Sequence, residues 1–538
     1  MADNIPLLDR TLYVCPSPVY GYGLERLIKR MADNAPNSAV LCIEADEHLY
    51  RISSENFNEL MPTDRLKLIN TPEKSALCDF VRQTWGRRRF RRITEVRLTG
   101  GWQLFPELYA SLTEILQREI ALDWSNALVL AKLGRRYIHN ALRNLKLLLR
   151  YPSLARFSFG EAPALVLGAG PSLDTLLPGL KRYFGDKLDK SKRTFRIICV
   201  DTCLKSLKAH NIEPDLAVVL ESQHWNLSDF IGLGGWNIQA AVDLSALPAS
   251  AKLTGLRPNM FFTKWTELRF FDRLDAEGLL PAVFPPLGSV GLSAASIALY
   301  ITRGPVLIAG MDFSFSMDCS HARSSPGHLT KLRDHNRWTS LFNTAAFSGT
   351  IRLEAKNGRQ VLSTPVMQNY RDIFEQQFGA NIRLFDITGS GLPLGIQNLP
   401  KEEYLPLLEK GGKADGQYIE NPIQETQNRA VKQKLMNFIQ NEKKRLVDLK
   451  TILTGKYASL PEKSQTEEVF PLEKFVQLID ECDYLWAHFP DYAETGGQRP
   501  SAQDLSNGAP QAISFLKRVR AEIDPILKIY EMLLDKGH

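Results

Sequence analysis

Between Ala164 and Asp174 the chain reads Ala-Leu-Val-Leu-Gly-Ala-Gly-Pro-Ser-Leu-Asp, and this stretch constrains the fold more than any other. A short apolar run, suited to a buried strand, enters a Gly-x-Gly turn, and from Leu173 the apolar residues recur at helical spacing. A strand that feeds a helix through so short a turn is the βα unit of a parallel sheet. Gly168 and Gly170 allow a close backbone approach. Pro171 suits the start of a helix, where the N–H it lacks would be unpaired, and Ser172 adds a hydroxyl beside free N–H groups. A helix N-terminus of this kind attracts phosphate, which makes a nucleotide the expected ligand. On this reading Gly170→Val blocks the nucleotide and spares the fold. The turn lacks the third glycine of the dinucleotide fingerprint and the Gly-Lys-Ser/Thr of the triphosphate loop. Neither a nicotinamide dehydrogenase nor an ordinary ATPase follows from it.

More runs of the same kind follow: Ile197–Asp201, Leu216–Glu221, Ile238–Asp243, Val306–Asp312 and Ile382–Asp386. Continuous apolar runs separated by helical stretches indicate strands buried on both faces, hence an α/β chain with a central Rossmann-like parallel sheet. Ligands of such sheets lie beyond the carboxyl ends of the strands, which is where Asp201, Thr202, Glu221 and Asp312 fall. A second turn, Gly288-Ser289-Val290-Gly291, opens an Ala-rich helix and supplies another candidate anion-binding N-terminus. Before this region, Gly21-Tyr22-Gly23, a helical stretch and the run Ala39–Glu44 make a smaller α/β unit, and Trp124–Leu149 has the spacing of a long amphipathic helix. After Pro400 the chain turns helical and charge-laced, over Gln424–Leu453, Phe475–His488 and Ala512–Lys536. Three domains are expected: an N-terminal α/β domain with a long terminal helix (1–153), the central nucleotide-binding domain (154–398) and a helical C-terminal domain (399–538).

A chain of 538 residues exceeds a single core. With 44% apolar and 23% charged residues it has the composition of a soluble globular protein. No apolar run reaches the ~18 residues of a membrane span, and Met1–Pro6 has no basic, apolar leader. A cytoplasmic protein is the expectation. The seven cysteines are scattered and only Cys199 and Cys203 are close, which fits reduced thiols better than a zinc site. The net charge of +6 is modest, and the basic clusters Arg87–Arg92 and Lys181–Arg196 run through mixed sequence, so no nucleic-acid partner is expected. His321, His328 and His335 follow Asp312 in a polar stretch without the tight cluster of a metal site. A histidine beside a nucleotide is a candidate general base, because its ordinary pKa lies near physiological pH. His321 is the expected base, with His328 in reserve and no metal ligands assigned.

Gly168–Asp174, the strand to Asp201 with Leu204 and Leu207, Asn211–Asp215 and Glu221 together resemble the motility-associated factor (Maf) glycosyltransferases of flagellated bacteria. Those proteins share a central domain with the archaeal 6-hydroxymethylpterin pyrophosphokinase. Tyr20–Gly23, the strand to Glu44, Asn140–Leu145, Ser320-His321-Ala322 and Asp386–Gly391 are similar to the Maf flanks. Gly170–Leu173, Gly288–Gly291 with its helix, and Gly310-Met311-Asp312-Phe313 also resemble bacterial sialyltransferases that use CMP-sialic acid. The resemblance implies a glycosyltransferase that moves a nonulosonic acid (pseudaminic, legionaminic or a related sugar) from CMP to Ser or Thr of flagellin. It implies no required cofactor and an optional divalent cation. It places the nucleotide on Gly168, Gly170, Pro171, Ser172, Asp201, Thr202, Glu221, Gly288, Ser289, Gly291 and Asp312. Glu221 departs from the aspartate usual there, with a longer reach toward ribose or cytosine. Two other readings stand beside this one: a pterin pyrophosphokinase using ATP and magnesium, and a non-catalytic flagellar chaperone.

Overall fold

A computed structural model of the chain describes residues 2–59, 64–86, 88–253, 255–341, 349–411, 425–455, 472–490, 492 and 499–535. Arg87, Gln424 and Lys536, which bound stretches named above, lie outside the described residues. The chain forms two compact units, Met1–Arg135 with Lys450–Glu522 and Arg136–Leu449 with Ile523–His538. Sequence beyond residue 399 therefore contributes to both.

In the first unit, β1 (Thr11–Pro16), β2 (Ala39–Glu44), β3 (Leu66–Asn70) and β4 (Arg92–Glu95) form a parallel sheet in the order β3-β2-β1-β4. Successive side chains of a strand face opposite ways, and here both faces are covered. Leu12, Val14, Leu41 and Ile43 join one buried cluster with Leu77, Trp85, Tyr109 and Leu112. Tyr13, Cys15, Val40 and Cys42 join another with Leu24, Leu27 and Met31. The covering helices are α1 (Leu24–Asn34), α2 (Glu47–Glu59), α3 (Lys74–Trp85) and α4 (Pro106–Asn144). Helix α4 begins well before the expected Trp124, and its end from Arg136 belongs to the second unit.

The second unit adds β5 (Ala164–Leu167), β6 (Arg196–Val200), β7 (Leu216–Val219), β8 (Ile238–Asp243), β9 (Leu256–Thr263), β10 (Ala282–Phe284) and β11 (Val306–Ala309). An antiparallel hairpin of β12 (Ile351–Glu354) and β13 (Gln360–Ser363) follows, then β14 (Leu384–Asp386) and β15 (Gln397–Asn398). The large sheet has nine strands in the order β10-β9-β8-β7-β6-β5-β11-β14-β15, all parallel. The expected α/β class and parallel sheet are present. β9 and β10 extend the edge beyond the strands read from sequence, because Arg257 and Pro258 break the apolar run of β9 and β10 is only three residues long. Helices α5 (Leu173–Phe184), α6 (Leu204–Ala209), α7 (Leu227–Phe230), α8 (Arg269–Ala276), α9 (Val290–Ile301), α10 (Pro326–Asp334) and α11 (Pro365–Phe378) connect the strands.

Beyond residue 399, α12 (Lys401–Lys410), most of α13 (Glu425–Gly455) and the end of a helix over Pro510–Leu534 contribute to this unit. The Thr194 hydroxyl donates to Leu408 O at 2.7 Å, and the buried Glu442 carboxylate accepts two bonds from Arg273 at 2.8 and 2.9 Å. All seven cysteines are free and buried, and burial pushes the Cys199 and Cys203 thiols up. Among the described residues no helix is long and apolar enough to cross a membrane.

Candidate functional site

From β5 the chain steps outward strand by strand to β10, and then returns to place β11 on the other side of β5. The crevice beyond the carboxyl ends of β5 and β11 is thus the point where strand order reverses, and ligands of open α/β sheets lodge there. The two glycine-containing turns of β5 and β11 meet at this point. Gly168 N–H donates to Ala309 O and Gly170 N–H to Gly310 O, both at 2.8 Å. A Cβ on Gly168 would stand 2.4 Å from Gly310 O, and one on Gly170 would stand 2.5 Å from Asp312 Oδ2. The glycines are required first by this meeting of two protein segments, so Gly170→Val does not leave the fold untouched. Asp312 Oδ2 accepts the Ser172 N–H at 2.7 Å, a carboxylate against the start of α5. Helix α5 begins at Leu173, so Pro171 lies in the turn ahead of it.

Ser172 Oγ, Asp312 Oδ1 and Ser293 Oγ, the last in the first turn of α9, are buried and have no hydrogen-bond partner within 3.5 Å among the described residues. Burial pushes the Asp312 carboxyl up to about 6, although the Ser172 side chain still helps hold it down. Met311 joins the two candidate turns, because the Cβ positions of Gly168 and Gly291 lie 3.1 Å from its Cγ and 3.5 Å from its Sδ. Gly288 adopts φ +74° with its Cβ position 3.0 Å from the Tyr370 ring, and Ser289 stands at the N-cap of α9. Gly168, Gly170, Ser172, Gly291 and Asp312 are therefore brought together. Lys356 of the hairpin adds a cation nearby, ion-paired with Asp386 and bonded to Thr388 Oγ1 at 2.8 Å.

The acid-ended strands beside β5 make a second group. Asp201 is buried and accepts from Thr202 N–H at 2.9 Å and from Asn226 Nδ2 at 2.6 Å, and Asn226 also reaches Asp229 Oδ2 at 3.3 Å. Glu221 is half-buried and accepts from Gln223 N–H at 2.9 Å. Two residues that sequence reading took only as part of a family likeness hold the next loops. Asn140 Nδ2 donates to Ser222 O and Ser245 O, and Asn144 Nδ2 to Leu244 O and Ala246 O. Their spacing of four residues on α4 puts both on one face, a signal readable in the sequence. Asn226 and Asp229 carry no such pattern.

Burial pushes Asp201 up to about 6, and burial with the Asp201 charge beside it pushes Asp229 up to about 7. The folded chain therefore holds these protons to higher pH than the unfolded chain. The stability that goes with them is lost as pH rises through about 4 to 7. Asp229→Asn is expected to leave the melting temperature near wild type at about pH 3.5, below both carboxyl pKa values, and to raise it by several degrees at pH 8. A difference that stays flat with pH would discard the buried-charge account.

The segment after β11 crosses the β5 turn: Ala322 N–H donates to Ala169 O at 2.9 Å. His321 therefore sits one residue from a direct contact with the glycine turn. Lys331 Nζ donates to Ser320 Oγ at 2.9 Å, and Ser320 Oγ lies 3.2 Å from His321 Nδ1. Burial, then Lys331 and His328, hold the His321 pKa below its ordinary value. His328 is buried in the first turn of α10, and its Nδ1 has no hydrogen-bond partner among the described residues. His335 is exposed at the end of α10, and its Nδ1 accepts from Leu341 N–H. Among the described residues no three His, Cys, Asp or Glu side chains are placed to hold a metal ion.

Residues 136–318 match the family model described as 6-hydroxymethylpterin diphosphokinase MptE-like. The match begins at the end of α4 and stops just short of His321. An uncharacterised protein of Treponema pallidum (strain Nichols) is 28% identical over 548 residues, covering 98% of this chain and 89% of its own. The solved structure of the MAf glycosyltransferase from Magnetospirillum magneticum AMB-1 is similar over 97% of this chain and 77% of its own, with TM-score 0.50 and 14% identity. The chain thus has an MptE-like segment at its centre and, over nearly its whole length, the fold of a glycosyltransferase. Tyr137 lies at the very start of the segment, one turn before Asn140. Its ring packs 5.4 Å from Trp265, and burial with Glu221 and Asp243 nearby pushes its phenol up to about 12.

Proposed function

We propose that the chain is a glycosyltransferase that moves an acidic nine-carbon sugar from its CMP donor to a protein hydroxyl, with flagellin Ser or Thr as the acceptor in the cytoplasm. The observation that carries this reading is the set of unpartnered buried atoms, Ser172 Oγ, Asp312 Oδ1 and Ser293 Oγ, at a strand-order reversal with a histidine-bearing segment laid across it. The fold supports the reaction class.

CMP leaves with one phosphate, whose charge is met by the Ser172 and Ser289 hydroxyls and the N-terminus of α9, the Ser172 N–H being taken by Asp312. Asp201, Thr202 and Glu221 face the nucleoside, because the acids after neighbouring strands of such sheets hold ribose. In the transfer step the bond from the anomeric carbon to the phosphate oxygen breaks, and CMP departs with the electron pair. The acceptor oxygen forms the new bond to that carbon as its proton passes to His321 Nε2. Tyr137, kept protonated, is a hydrogen-bond donor over the β7 and β8 loops.

A second reading keeps the MptE-like match at face value: a diphosphotransferase acting on a pterin, which needs ATP and magnesium. Thermal shift of the full chain separates the two. CMP is expected to raise the melting temperature more than CDP, ATP or the pterin does. Stabilisation by ATP with magnesium and the pterin, and none by CMP, overturns the glycosyltransferase reading in favour of the second.

A further inference from the structure

Outside the crevice, a cavity of about 320 Å³ opens between α6, the turn after α7 and α10. It is lined by Lys205, Lys208 and Ala209 on α6, Ile231 and Leu233 after α7, and Ser324 and Leu329 from the histidine-bearing segment. Cavities that hold small ligands start at about this size and combine apolar walls with a few fixed polar groups. Two lysines supply the polar part, and neither is ion-paired with a carboxylate among the described residues. Lys208 Nζ rests 4.5 Å above the Trp236 ring and 3.4 Å from Gly234 O, which fixes its direction without neutralising it. Lys205 lies one turn after Asp201, and its charge is felt at Asp229. Ile231 and Leu329 are exposed, an apolar rim around two cations.

The position of the cavity matters as much as its lining. One wall, α6, starts directly after the Asp201–Cys203 turn at the nucleotide edge. The opposite wall, Ser324 and Leu329, follows His321 in the segment that touches the β5 turn. The cavity is thus bounded by the two segments that carry Asp201 and His321.

We infer that this cavity is a carboxylate-binding subsite, in which Lys205 and Lys208 hold the acid group of the transferred sugar while Ile231, Leu233 and Leu329 cover its apolar substituents. The inference rests on the proposed function and names how its donor is selected. Neutral sugars lack the group that pairs with the lysines and so gain nothing from them.

N-acetylneuraminic acid, a free nine-carbon carboxylated sugar, tests this with the full chain and saturation-transfer NMR. The acid is expected to bind, and its methyl ester, which has the same body without the charge, at least tenfold more weakly. Lys205→Gln with Lys208→Gln should remove the preference for the acid and leave the CMP affinity within a few-fold. Both side chains are half-exposed, so the double variant is expected to fold, and its melting temperature checks that. Equal binding of acid and ester, or an acid affinity unchanged in the folded double variant, overturns the subsite. CMP binding is measured on the same samples. A chain that binds the acid through these lysines but never CMP keeps the subsite and loses the nucleotide-sugar reading.

Discussion

His321→Ala is expected to lower transfer by about a hundredfold or more while CMP affinity stays within a few-fold, the loss typical of removing a general base. A base for a hydroxyl proton must be neutral before it acts. His321 is held neutral by burial first, then by the Lys331 ammonium and by His328, all of which disfavour the imidazolium. When Nδ1 carries the proton it donates to Ser320 Oγ, itself fixed by Lys331 at 2.9 Å, and Nε2 keeps a lone pair for the acceptor. Lys331→Met removes both the charge and that hydrogen bond. The His321 pKa should then rise, and the acid limb of kcat/KM against pH should move to higher pH. Of the carboxylates nearby, Asp318 of the segment and Asp174 of α5 face Arg323, so they do not replace Lys331 at the ring. Transfer kinetics across pH decide the assignment. Near wild-type turnover in His321→Ala beside a crippled His328→Ala gives the role to His328, and an acid limb unmoved in Lys331→Met rules out the relay.

The parts of this molecule that were legible in sequence are those with one dominant physical cause. The strands at β5, β6, β7, β8 and β11 read as unbroken apolar runs because both faces of a parallel sheet are covered. β9 was not legible, because Pro258 interrupts its pattern and only its neighbours hold it in the sheet. The glycine turn was legible as a close approach, but sequence alone does not say what approaches. In the structure it is the turn of β11, a segment more than a hundred residues later, and Asp312 answers the α5 N–H that was read as free. Asn226 and Asp229 escaped notice for a similar reason: their chemistry arises from burial beside Asp201, which no local spacing encodes. The histidine segment was found from its residue types, whereas Ser320 and Lys331 needed the turn into α10 that brings residues 320 and 331 together. Helix α13 reads as solvated and charge-laced, yet Glu442 is buried against Arg273.

Gly168→Val is expected to destabilise the fold by about 3 kcal/mol or more, the upper end of the range for forcing atoms into a packed site. The Cβ would meet Gly310 O at 2.4 Å and Gly310 C at 2.8 Å, both backbone atoms with no flexible end to move aside. The contact is reciprocal. Gly310 has φ +70°, and its own Cβ position is 2.6 Å from Gly168 O, so neither segment can turn away cheaply. Relief comes only by parting the turns of β5 and β11. That breaks the Gly168–Ala309 and Gly170–Gly310 hydrogen bonds and pulls Asp312 from the Ser172 N–H. A buried carboxylate already pushed up to about 6 then loses the donors that favour its charged form. The melting temperature should fall by several degrees or more, and CMP affinity should fall with it, because the same movement spoils the crevice. Gly389→Ala is the control: it lies in the turn after β14 with nothing within 4 Å of its Cβ position, and stability should stay near wild type. Calorimetry and CMP titration on both variants test this together. A Gly168→Val chain that melts like wild type refutes the close approach of the two turns, while a destabilised chain with unchanged CMP affinity separates the crevice from nucleotide binding.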